Sequence, residues 1–183
     1  MTSALPLRMR HMTPADADAV AALHAASWRS AYRGIFSDHY LDHEAVQERQ
    51  QAWRERWQGG KAGADWGLVA EDAEGRLVGF AYVMPGHDPD WGDYIDNLHV
   101  APDFKGGGLG RQLMQAVARR LADGPRRALH LWVLDANEPA KRFYARLGAE
   151  FADQRLDDSL DGKQHLVWRC VWRNPSTLLA DHA

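Results

Sequence analysis

The stretch Leu98-His99-Val100-Ala-Pro-Asp-Phe-Lys105-Gly106-Gly107-Gly108-Leu109-Gly110-Arg111-Gln-Leu-Met114 decides the fold. The end of an apolar strand runs into a glycine-rich turn, and the turn opens directly into an amphipathic helix. Glycine allows turn geometries that a Cβ forbids. The N–H groups of such a turn and of the first helical turn lack intrahelical acceptors. Together with the helix dipole they favour an anion, above all a pyrophosphate. Two other glycine-rich patterns are excluded. A dinucleotide fingerprint G-x-G-x-x-G begun at Gly106 and Gly108 would need glycine where Arg111 stands. A phosphate loop needs Gly-Lys followed by Ser or Thr, but Gly60-Lys61 precedes Ala62 and Gly162-Lys163 precedes Gln164.

Outward from this stretch, the pattern alternates between strand and helix periods. Upstream, Leu7–His11 reads as a strand. A helix starts at Thr13 or Pro14, carries Val20, Ala21, Leu23 and His24 near helical spacing, and stops at Gly34. Ser37 caps a second helix through Tyr40, Leu41, Val46 and Trp53. Gln58–Ala64 is a flexible connection. Trp66–Glu71 and Arg76–Met84 form a hairpin around Asp72–Gly75, and Pro85–Gly92 is a loop rich in Asp, Pro and Gly. Tyr94–Val100 feeds the glycine turn. Downstream, Leu109, Leu113, Val117 and Leu121 share one helical face, and Gly124-Pro125 ends that helix. Leu129–Leu134 is a strand apolar enough to be buried on both faces. Asn137 then caps a helix with Pro139 in its first turn and Gly148 at its end. Strands near Glu150–Leu156 and His165–Trp172 close the core, and the tail after Asn174-Pro175 is expected to be loose.

A second segment, Leu131-Trp-Val-Leu-Asp-Ala-Asn137-Glu-Pro-Ala140-Lys-Arg-Phe143-Tyr144-Ala-Arg-Leu-Gly148, pairs with the first. With Lys105-Gly-Gly-Gly108-Leu-Gly110 it resembles the two signatures of the GNAT N-acetyltransferase superfamily, usually Gln/Arg-x-x-Gly-x-Gly/Ala and V-x-x-x-N-x-x-A-x-x-F/L-Y-x-x-x-G-F. Lys105 departs from the usual Gln or Arg, and supplies a point charge in place of a planar fork. Ala149 stands where the aromatic is usual. The resemblance runs from about Leu7 to Trp172. It implies one α/β domain over 1–183, with a mixed, mostly antiparallel twisted sheet of about six to seven strands flanked by about four helices. It implies acetyl-CoA as co-substrate, with no metal, and transfer of acetyl to a primary amine by direct attack in a ternary complex. Contact with that co-substrate falls to Leu98, His99 and Val100, to Lys105, Gly106, Gly107, Gly108, Leu109, Gly110 and Arg111, and to Asn137, Ala140, Phe143 and Tyr144. Tyr144 is expected beside the sulfur, where a phenol of ordinary pKa near 10 stays protonated and can donate to a leaving thiolate.

In this superfamily the acceptor lies between the first two helices and the strand before the glycine turn. Here Trp28, Tyr32 and Tyr40 gather with the loop residues Asp88, Asp90, Trp91 and Asp93. The run Ser27–Ile35 also looks like a recurring bacterial subgroup. Aromatic faces and carboxylates together suit a cationic small-molecule amine. A protonated amine cannot attack, so a base is needed. Asp96 is the first candidate, because acidic residues at the matching place serve polyamine-type relatives, and His99 is the second. Alternation points the two to opposite faces unless the bulge that the family places here intervenes. Acetylation of a protein N-terminus or lysine, and a non-catalytic acetyl-CoA sensor, are the alternatives.

Bulk properties agree with this frame. The chain has 183 residues, 45% hydrophobic and 26% charged, which suits one soluble domain. A net charge of -3 gives no support for a nucleic-acid partner. Cys170 is the lone cysteine, so no internal disulfide forms and a reducing, cytoplasmic compartment is expected. Neither a signal peptide nor a membrane-spanning run is legible. The expected oligomeric state is a monomer or homodimer. His39 and His43 are four apart but lack the H-E-x-x-H pattern of a zinc site.

Overall fold

The apolar stripes converge on one seven-stranded sheet in a computed structural model that describes residues 7–58, 64–125, 127–158 and 160–180. The elements are β1 (Arg8–His11), α1 (Ala17–Ala31), α2 (Ala45–Gln58), β2 (Trp66–Glu71), β3 (Leu77–Asp88), β4 (Gly92–Val100), α3 (Leu109–Ala122), β5 (Leu129–Leu134), α4 (Glu138–Arg146), β6 (Glu150–Asp158) and β7 (Gln164–Trp172). The sheet order is β1-β2-β3-β4-β5-β7-β6. All neighbouring strands are antiparallel except β4 and β5. This is the mixed, mostly antiparallel architecture expected. Most of the connection 58–64 and Arg126 lie outside the described residues.

Local chemistry accounts for the helix ends. Thr13 N donates to Asp16 Oδ2 at 2.7 Å, which closes the turn that enters α1. Ser37 Oγ accepts from Tyr40 N at 3.2 Å, and a π-helical turn over Tyr40–Glu44 leads into α2. Asn137 Oδ1 accepts from Ala140 N at 3.3 Å at the head of α4.

The two sheet faces are covered differently. Phe80 and His99 pair across β3 and β4 and face α1 and α2, where His24, Trp53 and Tyr82 pack with them. The opposite face takes α3. A Cβ built on Gly79 would come within 3.1 Å of both Leu109 and Leu113, so the absent side chain lets α3 lie close on β3. Leu113, Met114 and Val117 are fully buried there. α4 lies on the same side, with Tyr144 edge-on to Trp172.

Two features of β4 shape the centre of the sheet. Tyr82 pairs with Asn97 but Val83 pairs with Ile95, so Asp96 sits in a bulge with no partner on β3. On the other side, β4 meets β5 only at Asp93↔Leu129 and Tyr94↔His130. Beyond these two rungs β4 runs to Val100 and β5 to Leu134 without pairing, and the sheet parts into a wedge. At the apex of the wedge Gly92 has φ +79°, and a Cβ there would lie 2.3 Å from Ala128 O.

Two expectations are corrected. Pro85–Gly92 is not a loop throughout: β3 reaches Asp88, which pairs with Gly92, and only three residues form the tip. The tail is not loose over its described part. Pro175–Leu179 form a 3-10 turn capped by Asn174 Oδ1, and Leu178 is 1% exposed. Arg111 Nη2 also reaches Ala180 O at 3.4 Å. The tail buries an apolar side chain in the core, which Pro175 and the polar residues around it conceal.

Candidate active site

The glycine turn sits at the open end of the wedge. Gly106 and Gly108 have φ of +83° and +82°, with nothing within 4 Å of a built Cβ. They are glycine because of their backbone angles, and the space beside them is open. Gly107 carries neither constraint. Gly108 is the N-cap of α3, and no side chain caps that end. Leu109 is buried under the helix. Gly110 also serves packing: its built Cβ would approach Phe143 Cζ to 3.1 Å, so Gly110 lets α3 and α4 touch. Phe143 is thereby a packing residue. Lys105 Nζ donates to Ser30 Oγ at 3.3 Å, and burial lowers its pKa. Arg111 points to the tail, as noted above.

Asn137 and Ala140 make the cap of α4 between them, so the Asn137 side-chain oxygen is already engaged. Tyr144 is 8% exposed, packed against Phe143 and Trp172. Burial, with Tyr32 and Cys170 nearby, raises its pKa well above the ordinary 10. No hydrogen bond to its hydroxyl exists among the described residues. A phenol so placed keeps its proton at neutral pH, and the same burial makes it a weaker acid until negative charge develops beside it.

The bulge brings Asp96 and His99 to the same side of the sheet, toward α1 and α2. They differ in chemistry. Asp96 Oδ2 accepts from Arg56 Nη2 and from Asn97 Nδ2, each at 2.6 Å. Its other oxygen has no hydrogen bond among the described residues. His99 packs against His24 and Phe80 with its ring tilted to both, and Ser27 Oγ lies 3.0 Å from its Nδ1. Burial, then Lys105 and Arg49, push the imidazole down to about 3. An imidazole that weak is a poor proton acceptor at neutral pH, which removes the chemical ground for His99 as base.

The expected acceptor residues do not form one lining. Trp28 and Tyr40 are buried with Phe36 and Leu41 in a second apolar cluster under α1 and the π-helical turn. Tyr32 alone of the three stays partly open, and burial pushes its phenol up to about 12. Asp88 Oδ1 accepts from the N–H groups of Asp90 and Trp91, which closes the hairpin tip. Asp93 is 3% exposed and accepts from Gly86 N at 2.7 Å. Trp91 lies between the guanidinium groups of Arg169 and Arg173, at 4.7 and 5.1 Å. Only Asp90 keeps an exposed, uncommitted carboxylate. Asp favours turns for its own local hydrogen bonds, and that is its use here.

Sequence reasoning missed Tyr94, Trp132, Arg56 and Arg155. Arg56 lies over the rings of Trp53 and Tyr82 at 4.9 and 4.3 Å. Arg155 lies over Trp132 at 4.3 Å. The spacing of Arg49, Trp53 and Arg56 along one face of α2 was the available signal, but arginine at such spacing is usually a solvated stripe.

A sheet parted between β4 and β5, with a glycine turn after β4 and a buried tyrosine on the helix after β5, defines an α/β fold interrupted at its centre. The family model for the acetyltransferase (GNAT) family matches residues 22–149, and the chain belongs to that family. It is 35% identical over 136 residues to a mycothiol acetyltransferase of Actinosynnema mirum, a match covering 73% of this chain and 40% of that protein. The chain thus spans well under half the length of that relative. In fold it is similar to the PaiA N-acetyltransferase of Thermoplasma acidophilum solved with coenzyme A, with a TM-score of 0.67, 15% identity, and 90% and 98% of the two chains covered. A variant of the spermidine N-acetyltransferase of Vibrio cholerae gives 0.68 at 19% identity, covering 97% and 98%.

Proposed function

We propose that the chain transfers an acetyl group from acetyl-CoA to the amine of a small molecule. The wedge carries this reading. The β4 edge from Ile95 to Val100 has no ladder partner on β5, so its backbone groups are available to an extended amide-bearing chain. The turn at Gly106 and Gly108 leaves open space for a pyrophosphate at the helix N-terminus. That both features suit coenzyme A agrees with the relative solved with it, and the spermidine enzyme of the same fold suggests an amine as acceptor.

Acetyl-CoA supplies an activated thioester carbonyl. The chain's own residues do the rest. Backbone N–H groups near Leu98–Val100 polarise the carbonyl. Asp96, through its free oxygen or an ordered water, takes the proton from the ammonium and leaves a nucleophilic amine. The amine nitrogen bonds to the carbonyl carbon, the carbon–sulfur bond breaks, and Tyr144 gives its proton to the sulfur. A covalent acyl-enzyme is disfavoured. Cys170 is buried with its thiol pushed up to about 12. Ser27 is 4% exposed and its imidazole partner is too weakly basic to take the hydroxyl proton.

Free thiol released from acetyl-CoA, with and without amines, tests the reading. Release that depends on an amine is the expected result. Failure to bind coenzyme A in calorimetry, together with no release, would overturn it.

A further inference from the structure

On the side of the sheet that faces α1 and α2, β5, β7 and β6 carry a row of charged and aromatic side chains. Trp132 on β5 is opposite Arg169 on β7, which is opposite Asp153 on β6. Two and four residues further along β6, Arg155 and Asp157 therefore share this face. Tyr94 pairs with His130 on β5 and stacks on its ring, so it belongs to the same face across the apex of the wedge. The near wall is α2, which sends Arg56 to Asp96. The phenol of Tyr94 responds to all four charges. Burial, Asp96 and Asp157 raise its pKa, and Arg155 and Arg56 oppose them.

From this placement we infer that the acceptor is a zwitterion, an α-amino acid, whose ammonium is held by Asp96 and whose carboxylate is held by Arg155. The inference rests on the acetyl-transfer reading and sharpens its acceptor. A polycation would call for an acidic lining. This cleft instead presents both signs, and each is only partly satisfied. Asp96 uses one oxygen for Arg56 and Asn97 and leaves the other free. Arg155 is braced from below by the Trp132 ring and is half exposed. Its one ion pair among the described residues, to Asp157 at 3.2 Å, is also half exposed. Pairs of that kind contribute little, so a ligand carboxylate displaces Asp157 at small cost and accepts the planar guanidinium fork. Asp88 and Asp93, in contrast, are occupied by backbone N–H groups of their own hairpin.

The test measures binding and turnover separately. Proteinogenic α-amino acids, their α-carboxamides and spermidine are titrated into protein saturated with coenzyme A, and the same compounds are assayed for thiol release from acetyl-CoA. At least one amino acid should bind roughly 10-fold or more tightly than its amide, as loss of a charged hydrogen bond implies. Arg155→Gln, on an exposed strand position, should bring that ratio near unity and leave the acetyl-CoA Kd unchanged. The inference is overturned if amides bind as well as acids throughout, if spermidine is preferred, or if the ratio survives Arg155→Gln. An amino acid that binds through Arg155 without any thiol release would leave the recognition site standing and overturn the transfer reaction instead.

Discussion

Gly92→Ala probes the junction that holds the two halves of the sheet together. Gly92 has φ +79°, where an L side chain costs about 1–2 kcal/mol on conformational grounds alone. Its Cβ would also lie 2.3 Å from Ala128 O and 3.0 Å from Ala128 N and Arg127 Cβ. The obstructing atoms are mostly backbone, so they cannot step aside as a side-chain tip can. Ala128 O accepts from Asp93 N at 2.9 Å, beside the first of the two rungs between β4 and β5. Pushing that carbonyl away leaves a buried N–H unpaired, at a cost of about 1–3 kcal/mol. The sum for Gly92→Ala is about 2–5 kcal/mol. Gly75 supplies the control. It has the same φ of +79° and nothing within 4 Å of its built Cβ, so Gly75→Ala should cost only the conformational part, about 1–2 kcal/mol. Urea unfolding of both variants at comparable m-values gives the difference directly. Losses equal to within about 0.5 kcal/mol would refute the claim that close backbone approach, and not φ, fixes glycine at position 92.

Four other substitutions have defined outcomes. Tyr144→Phe removes a hydroxyl with no hydrogen bond among the described residues, so stability should hold while turnover falls roughly 10²-fold; near-normal turnover with chemistry rate-limiting rules out the acid role. Gly108→Val places a β-branched side chain at φ +82° in the mouth of the cradle, and the coenzyme A Kd should rise at least ~10-fold by calorimetry on folded protein; an unchanged Kd counts against the cradle. Asp93→Ala should cost about 1–3 kcal/mol, because it removes the buried acceptor of Gly86 N, while the acceptor KM stays put; a moved KM at unchanged stability would return Asp93 to the substrate. Asp16 is held below its ordinary 3.8 mainly by Arg10, with burial opposing. A lowered folded pKa means that the stabilisation is complete above about 3.8 and is lost as pH falls through the lower folded value. Asp16→Asn should therefore destabilise at pH 7 and converge on the parent in acid, and a penalty constant from pH 7 to pH 2 contradicts the ion-pair origin.

The elements themselves were legible because each rests on local chemistry. Thr13, Ser37 and Asn137 cap helices by bonds to neighbours a few residues away, and Leu109, Leu113 and Val117 repeat at helical spacing. The glycine turn and the capped helix that carries Tyr144 were legible by pattern. What stayed hidden depends on pairing across long separations. Nothing local in Ile95-Asp-Asn distinguishes a bulge from plain alternation, yet it decides that Asp96 faces α2. The aspartates near position 90 looked like a rim because their own turn bonds cannot be read from composition. The packing need at Gly110 was hidden because its neighbour, Phe143, is 33 positions away in sequence but close in space. Arg155 was invisible for a similar reason: its place beside Trp132 follows from the order of three strands, not from either sequence segment.

The gap between β4 and β5 also bears on how this protein should be handled. A sheet interrupted at its centre gives up hydrogen bonds that a continuous sheet would make, so the chain alone sits below the stability its core could support. Whatever fills the gap binds the folded chain and not the unfolded one. Mass action then raises the apparent stability by about 2.7 kcal/mol when the ligand is present at 100 times its Kd. Thermal shift is thus a direct assay of occupancy for this architecture, independent of turnover. Samples purified with and without coenzyme A should be expected to differ in melting temperature and in susceptibility to proteolysis before any chemistry is measured.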